Sequence, residues 1–123
     1  GYPTWLLSYW TRDKKLFSLE DSIRRLTSDT ASAIGLYDRG AIKEGLKADI
    51  NILDIENLGS SDPYMLKDLP AGGSRLMQKT SGYLANIVSG KITYVKGKKE
   101  NVLPGKLVKL INIQEKFKEK DLV

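Results

Sequence analysis

Residues 35–55, GLYDRGAIKEGLKADINILDI, decide how the chain is read. Gly35 is placed to close a helix, Asp38-Arg39-Gly40 and Lys43-Glu44-Gly45 make two turns, and Ala48 to Ile55 reads as a strand. Asp49 and Asn51 alternate with Ile50 and Ile52 before Leu53 and Ile55 break the pattern, as expected of a strand mostly covered on both faces. Before this stretch the apolar residues recur at helical spacing, and after it they read as strands and loops. It is the joint between two kinds of architecture, and the expected fold class is α+β.

Upstream, Tyr2 to Thr11 is apolar and aromatic, with Pro3 suited to a first helical turn. Trp5, Leu6, Tyr9 and Trp10 share one helical face, expected to be a core face, with a wall beside a binding site as its functional counterpart. Arg12 to Lys15 is a polar break. Ser18 to Asp29 reads as a second helix, capped by Ser18 with Asp21 completing a capping-box-like pair, and with Leu19, Ile23 and Leu26 on one face. Thr30 to Ile34 gives a short third helix whose Ala31 and Ala33 permit close packing, with Gly35 at its C′ position.

Downstream, residues 56–79 are rich in loop signals: Gly59, Pro63, Pro70 and Gly72-Gly73. A connection of that length inside a domain is usually functional or packed against something. Tyr83–Ser89 and Ile92–Val95 read as a β-hairpin turning at Ser89-Gly90, and Lys96-Gly97 ends its second strand. Leu103-Pro104-Gly105 is a turn, and residues 107–123 offer a weak helical spacing of Leu110, Ile113 and Phe117.

Composition narrows the chemistry. The 123 residues contain no cysteine and no histidine, which excludes thiolate chemistry, a Ser-His-Asp triad and an ordinary transition-metal site built by this chain alone. Eleven basic and eleven acidic residues cancel through residue 90, so the net charge of +5 comes from nine lysines against four acids in residues 91–123. That end reads as a solvated lysine-rich tail, and with one aromatic after Tyr94 and no arginine it is poorly equipped for nucleic acid. Asp38, Asp49, Asp54 and Asp68 have no spacing that makes an acid/base pair; Asp38 is expected to bond nearby backbone, and Asp49 and Asp54 to pair with lysines. No P-loop, dinucleotide fingerprint or nucleophile elbow is present.

Several segments taken together carry a family likeness. They are SLEDSIRRLTS (18–28), Thr30-Ala31, GLYDRG (35–40), Glu44-Gly45, KADIN (47–51) and Asp54. This ordered set resembles the C-terminal region of the amidohydrolase superfamily. The opening YPTWLLSYWTRD, DLPAGGSRLMQ (68–78), GYLANIVSGKITYVKG (82–97) and LPGKLV (103–108) resemble, within it, the N-acyl-D-amino-acid deacylases (D-aminoacylases). Residues 97–102 and the longer basic tail depart from that pattern.

The resemblance implies a TIM barrel that holds metal, and a small β-sandwich built from both chain ends. Residues 1–36 are then the terminal helices of the barrel, 37–109 the C-terminal strands of the sandwich with a long loop at 56–80, and 110–123 a basic tail. The family's metal ligands and catalytic aspartate lie upstream of Tyr2. Zinc or another divalent metal is therefore expected in the full-length parent, while this C-terminal portion has no catalytic or metal-binding residue and is inactive alone. Candidate substrate-binding residues are Tyr2, Trp5 and Trp10, which follow the family's catalytic strand, and Asp68 and Arg75 in the long loop. The expected partner is the remainder of the same polypeptide, with self-association through open sandwich edges as a further expectation, and no membrane. A cytoplasmic location is expected. The alternative is a non-catalytic binding module whose basic tail contacts nucleic acid or another polyanion.

Overall fold

A computed structural model describes residues 1–108. The weak helical spacing in 107–123 and the basic tail at 110–123 lie, from residue 109 onward, outside the described residues. The architecture is α+β: a helical layer to residue 34, the joint, and antiparallel strands from Ile50 onward.

The first helix begins as α1, Tyr2–Trp5, and continues as a π-helix over Leu6–Asp13. Its buried face is Thr4, Leu7, Ser8 and Thr11, not the aromatic stripe. Trp5 remains 47% and Trp10 38% exposed, which corrects the expected core face. The reason is steric. α2, Leu19–Leu26, comes close through Ser22, which is fully buried, and only small side chains permit that approach. The hydroxyls this buries are all satisfied: Ser8 Oγ donates to the Thr4 carbonyl, Thr11 Oγ1 to the Leu6 carbonyl, and Thr11 and Ser22 share a 2.6 Å bond.

Ser18 caps α2 by accepting from the Asp21 amide at 3.1 Å. The reciprocal half of the box is replaced, because the Asp21 carboxylate takes Arg24 and Arg25 instead. The expected helix over Ser18–Asp29 breaks at Thr27, and α3 runs Ser28–Ala33. It ends in a Schellman motif: Gly35 N–H bonds the Ser32 carbonyl and Leu36 N–H the Ala31 carbonyl.

The main sheet has the order β1-β6-β7-β8, all antiparallel, with β1 at Ile50–Leu53, β6 at Tyr83–Val88, β7 at Lys91–Val95 and β8 at Lys98–Lys99. β1 is shorter than the expected strand over 48–55, and it is an edge strand with Ile52 46% exposed, not one covered on both faces. Register sets Ile50 opposite Ile87 and Ile52 opposite Ala85, and β7 brings Ile92 and Val95 to the same row. The other face carries Asn51 and Asn86, joined side chain to side chain at 2.6 Å. Ser89 and Gly90 both have positive φ, the two-residue hairpin turn expected there. Lys96-Gly97 does the same: it ends β7, as expected, and turns the chain into β8, a short strand the sequence reading did not include.

Residues 56–82 are not a loop but an arm. β2 (Gly59–Ser60) pairs with β5 (Thr80–Ser81), and β3 (Tyr64–Leu66) with β4 (Arg75–Met77). Glycine and proline in the stretch suggested irregular chain, yet Gly59 lies within β2 and Pro63 just before β3, and only Pro70 and Gly72-Gly73 sit in the tip, where Pro70–Gly72 forms a single turn. Leu58 at the arm's root is 1% exposed and, with Leu7 and Ala31, makes up the buried apolar residues among those described. Among the described residues no helix is long and apolar enough to cross a membrane.

Candidate functional site

The sequence-derived candidates fall into two groups. Tyr2, Trp5 and Trp10 lie on the exposed side of the first helix. Trp5 stacks on Tyr9 with centroids 4.4 Å apart, Tyr9 meets Trp10 edge to face at 4.9 Å, and Lys14 Nζ lies 5.4 Å from the Tyr9 centroid. The result is a continuous aromatic surface, held by its own ring contacts and open to a neighbour. Tyr2 is 75% exposed and takes no part in these ring contacts; next to it, Gly1 abuts the Gln78 side chain of the arm.

Asp68 and Arg75 meet across the arm's tip in a two-point pair, Nε to Oδ1 at 2.8 Å and Nη2 to Oδ2 at 2.6 Å. The pair closes a turn in which Leu69 N–H bonds the Gly73 carbonyl and Ala71 and Gly72 have positive φ. Arg75 holds the Asp68 carboxyl below the usual carboxylate range, and Asp68 raises Arg75 in turn. A carboxylate so committed is a poor proton acceptor near neutral pH. No hydrogen bond or ion pair joins this tip to the aromatic surface among the described residues.

The joint consumes its own charges. Asp38 takes Arg39 in a fork at 2.9 and 3.0 Å, and the nearby backbone expected of a turn aspartate, its own amide, is the lesser partner. Arg39 and Lys47 reach Asp49 at 3.4 and 3.9 Å, and the other Asp49 oxygen accepts from the Ser89 amide at 2.8 Å. Asp49 thus ties the joint to the β6–β7 hairpin. Among the described residues Asp54 pairs with no lysine; its carboxylate accepts from the side chain and amide of Asn57, which lowers its pKa. Asp38 is lowered chiefly by its hydrogen bonds from Arg39.

Arg12 was readable only as part of a polar break, and the structure gives it a specific place. Its Nη1 donates to the carbonyls of Ile55, Glu56 and Leu58 at 2.9, 3.1 and 2.7 Å. Nothing in local spacing joins residue 12 to a turn more than forty residues on; the one available signal is that an arginine fork seeks several acceptors.

An open concavity of about 1090 Å³ lies between the sheet and the arm, with Asn51, Asn57, Gln78, Thr80, Asn86 and Thr93 among its lining residues. These groups offer hydrogen bonds; Asp54, Lys79 and Lys96 also line the concavity, and the Asp54 carboxylate is already held by Asn57. Among the described residues no three Asp, Glu, His or Cys side chains cluster as a metal-binding group. The carboxylates at 21, 38, 49 and 68 are already paired with arginines. The donor set therefore does not fit a divalent metal.

The sequence profile of the amidohydrolase family matches residues 3–94. A dihydroorotase of Lactobacillus acidophilus is 31% identical over 98 residues, covering 76% of this chain and 22% of the relative. A dihydroorotase of Lactobacillus johnsonii is 30% identical over the same length and shares. The chain thus spans about a fifth of the length of these curated relatives. No solved structure gives a significant match.

Proposed function

The chain belongs to the amidohydrolase family, and on that premise we propose that it is the C-terminal portion of a metal-dependent hydrolase that cleaves the amide bond of an N-acyl amino acid. The observation that carries the hydrolase part of this reading is one family match spanning residues 3–94, from the first helix through the joint and arm into β7; the N-acyl amino acid rests on the likeness of stretches such as residues 68–78 and 82–97. Residues 1–36 then close a TIM barrel, and residues 37–109 supply strands to a β-sandwich completed by the remainder of the polypeptide. The exposed apolar row of the sheet supports this, since a sheet buries such a face against a second layer.

Zinc or another divalent metal belongs, in this reading, to the remainder of the polypeptide, because the residues described here do not fit one. The aromatic surface of Tyr2, Trp5 and Trp10 and the Asp68–Arg75 tip act as substrate-side walls and not as reacting groups. A dihydroorotase-like activity is the second reading, favoured by the names of the two relatives.

A substrate panel offered to the intact protein separates these. Release of free amino acid from N-acyl-D-amino acids is expected. Turnover of dihydroorotate without deacylation replaces the first reading with the second, and hydrolysis of neither class overturns both.

A further inference from the structure

The arm is a two-stranded ribbon, and such a ribbon is marginal in water unless something holds it. Its outer half exposes the directly opposed pair Met65 and Leu76, each about two-thirds accessible. The holding occurs at the root. There Leu58 is buried, Gly82 approaches the backbone of Leu58 and Asp54, and Ser81 Oγ donates to the Asn57 carbonyl at 2.9 Å.

Arg12 faces this root from the helical layer. The two hydrogens of its Nη1 are shared among three carbonyls, those of Ile55, Glu56 and Leu58. Its other edge is braced by Asp13, with Nε to Oδ1 at 2.7 Å and Nη2 to Oδ2 at 3.3 Å. The brace fixes the guanidinium plane so that Nη1 points at the turn. Among the described residues, only one other hydrogen bond crosses from the helical layer to the strands, between Thr4 Oγ1 and the Tyr83 hydroxyl at 2.9 Å.

We infer that Arg12 is a latch that holds the root of the hairpin arm against the helical layer, and that the arm opens as a unit when the latch is lost. The rest of the fold keeps its own bonding: β6 sits between β1 and β7, and α2 and α3 retain their cap and Schellman closure. This goes beyond the proposed hydrolysis and holds for any substrate.

Amide hydrogen exchange in the intact protein, read by mass spectrometry, tests it. In Arg12→Gln, peptides covering 59–81 exchange about tenfold faster, while those covering 83–95 and 19–33 stay within about twofold of the parent. Arg12→Lys keeps a cation with three donors but loses the fork, and falls between the two. Equal acceleration in all three regions makes Arg12 an ordinary stabilising residue and overturns the latch, as does an unchanged arm. If Arg12→Gln does not fold, Asp13→Asn is read the same way: a smaller increase confined to the arm supports the latch, and a uniform or absent one overturns it.

Discussion

Gly82 and Gly90 both have positive φ, +81° and +75°, yet they are not equivalent. A Cβ on Gly82 would lie 2.6 Å from Leu58 Cα and 2.8 Å from the Asp54 carbonyl oxygen, whereas one on Gly90 would meet nothing within 4 Å. Gly90→Ala is expected to cost about 1 kcal/mol, the strain of the left-handed conformation alone. Gly82→Ala adds a backbone collision at the buried root and is expected to cost more than about 3 kcal/mol. Urea denaturation of the two variants checks the difference. The arginine-paired carboxylates give a second expectation. Asp38 binds a proton less readily folded than unfolded, because Arg39 holds its carboxylate. The stability this contributes is present above the unfolded carboxylate value, about 4, and is lost as pH falls through the lowered folded value. Denaturation midpoints measured down a pH series will fall in that acid window, and Asp38→Asn will flatten the fall.

Each element shows which sequence signals translate into structure and which do not. The cap of α2 is local chemistry, and Ser18→Ala is expected to cost about 1 kcal/mol while Ser18→Asp retains most of it, by thermal or urea unfolding. Ser18, Gly35 and Ser89-Gly90 were readable because caps and tight turns depend on a few adjacent residues. The buried face of the first helix was not, although Thr4, Ser8 and Thr11 recur at the same helical spacing that marks an apolar stripe. Attention to hydrophobicity alone selected Trp5, Tyr9 and Trp10, and close packing against Ser22 reversed the choice. The arm escaped for a related reason: strands of two or three residues have no measurable periodicity, and the glycines and prolines of the tip masked the ladders on either side. The pairing of Asp68 with Arg75 follows from that ladder, since Arg75 stands opposite Leu66 and the turn brings residue 68 back beside it.

Taken whole, the described residues have two apolar surfaces and little interior. Leu7, Ala31 and Leu58 are its buried apolar side chains among the described residues, while Ile52 and Ile92 on the sheet and Trp5 on the helix remain about half exposed. The proposed account has these surfaces covered by the remainder of a longer polypeptide. Ile92→Lys in the intact protein is then expected to cost more than about 2 kcal/mol, because it places an unpaired charge in a layer contact, whereas a substitution at a free surface changes stability by about 0.5 kcal/mol or less. Denaturant unfolding decides between them. The family likeness was readable from the ordered motifs, and the finer deacylase assignment rests on stretches such as DLPAGGSRLMQ that the structure shows as arm rather than as reacting groups.

The central claim is that this chain builds scaffold and wall while metal and catalysis belong to the remainder of the polypeptide. Elemental analysis of bound metal in the intact protein, with Asp49→Asn, Asp54→Asn and Asp68→Asn introduced one at a time, addresses it most directly. The account predicts an unchanged metal content in every folded variant. Loss of metal from a variant that remains folded would place a ligand within these residues and contradict it.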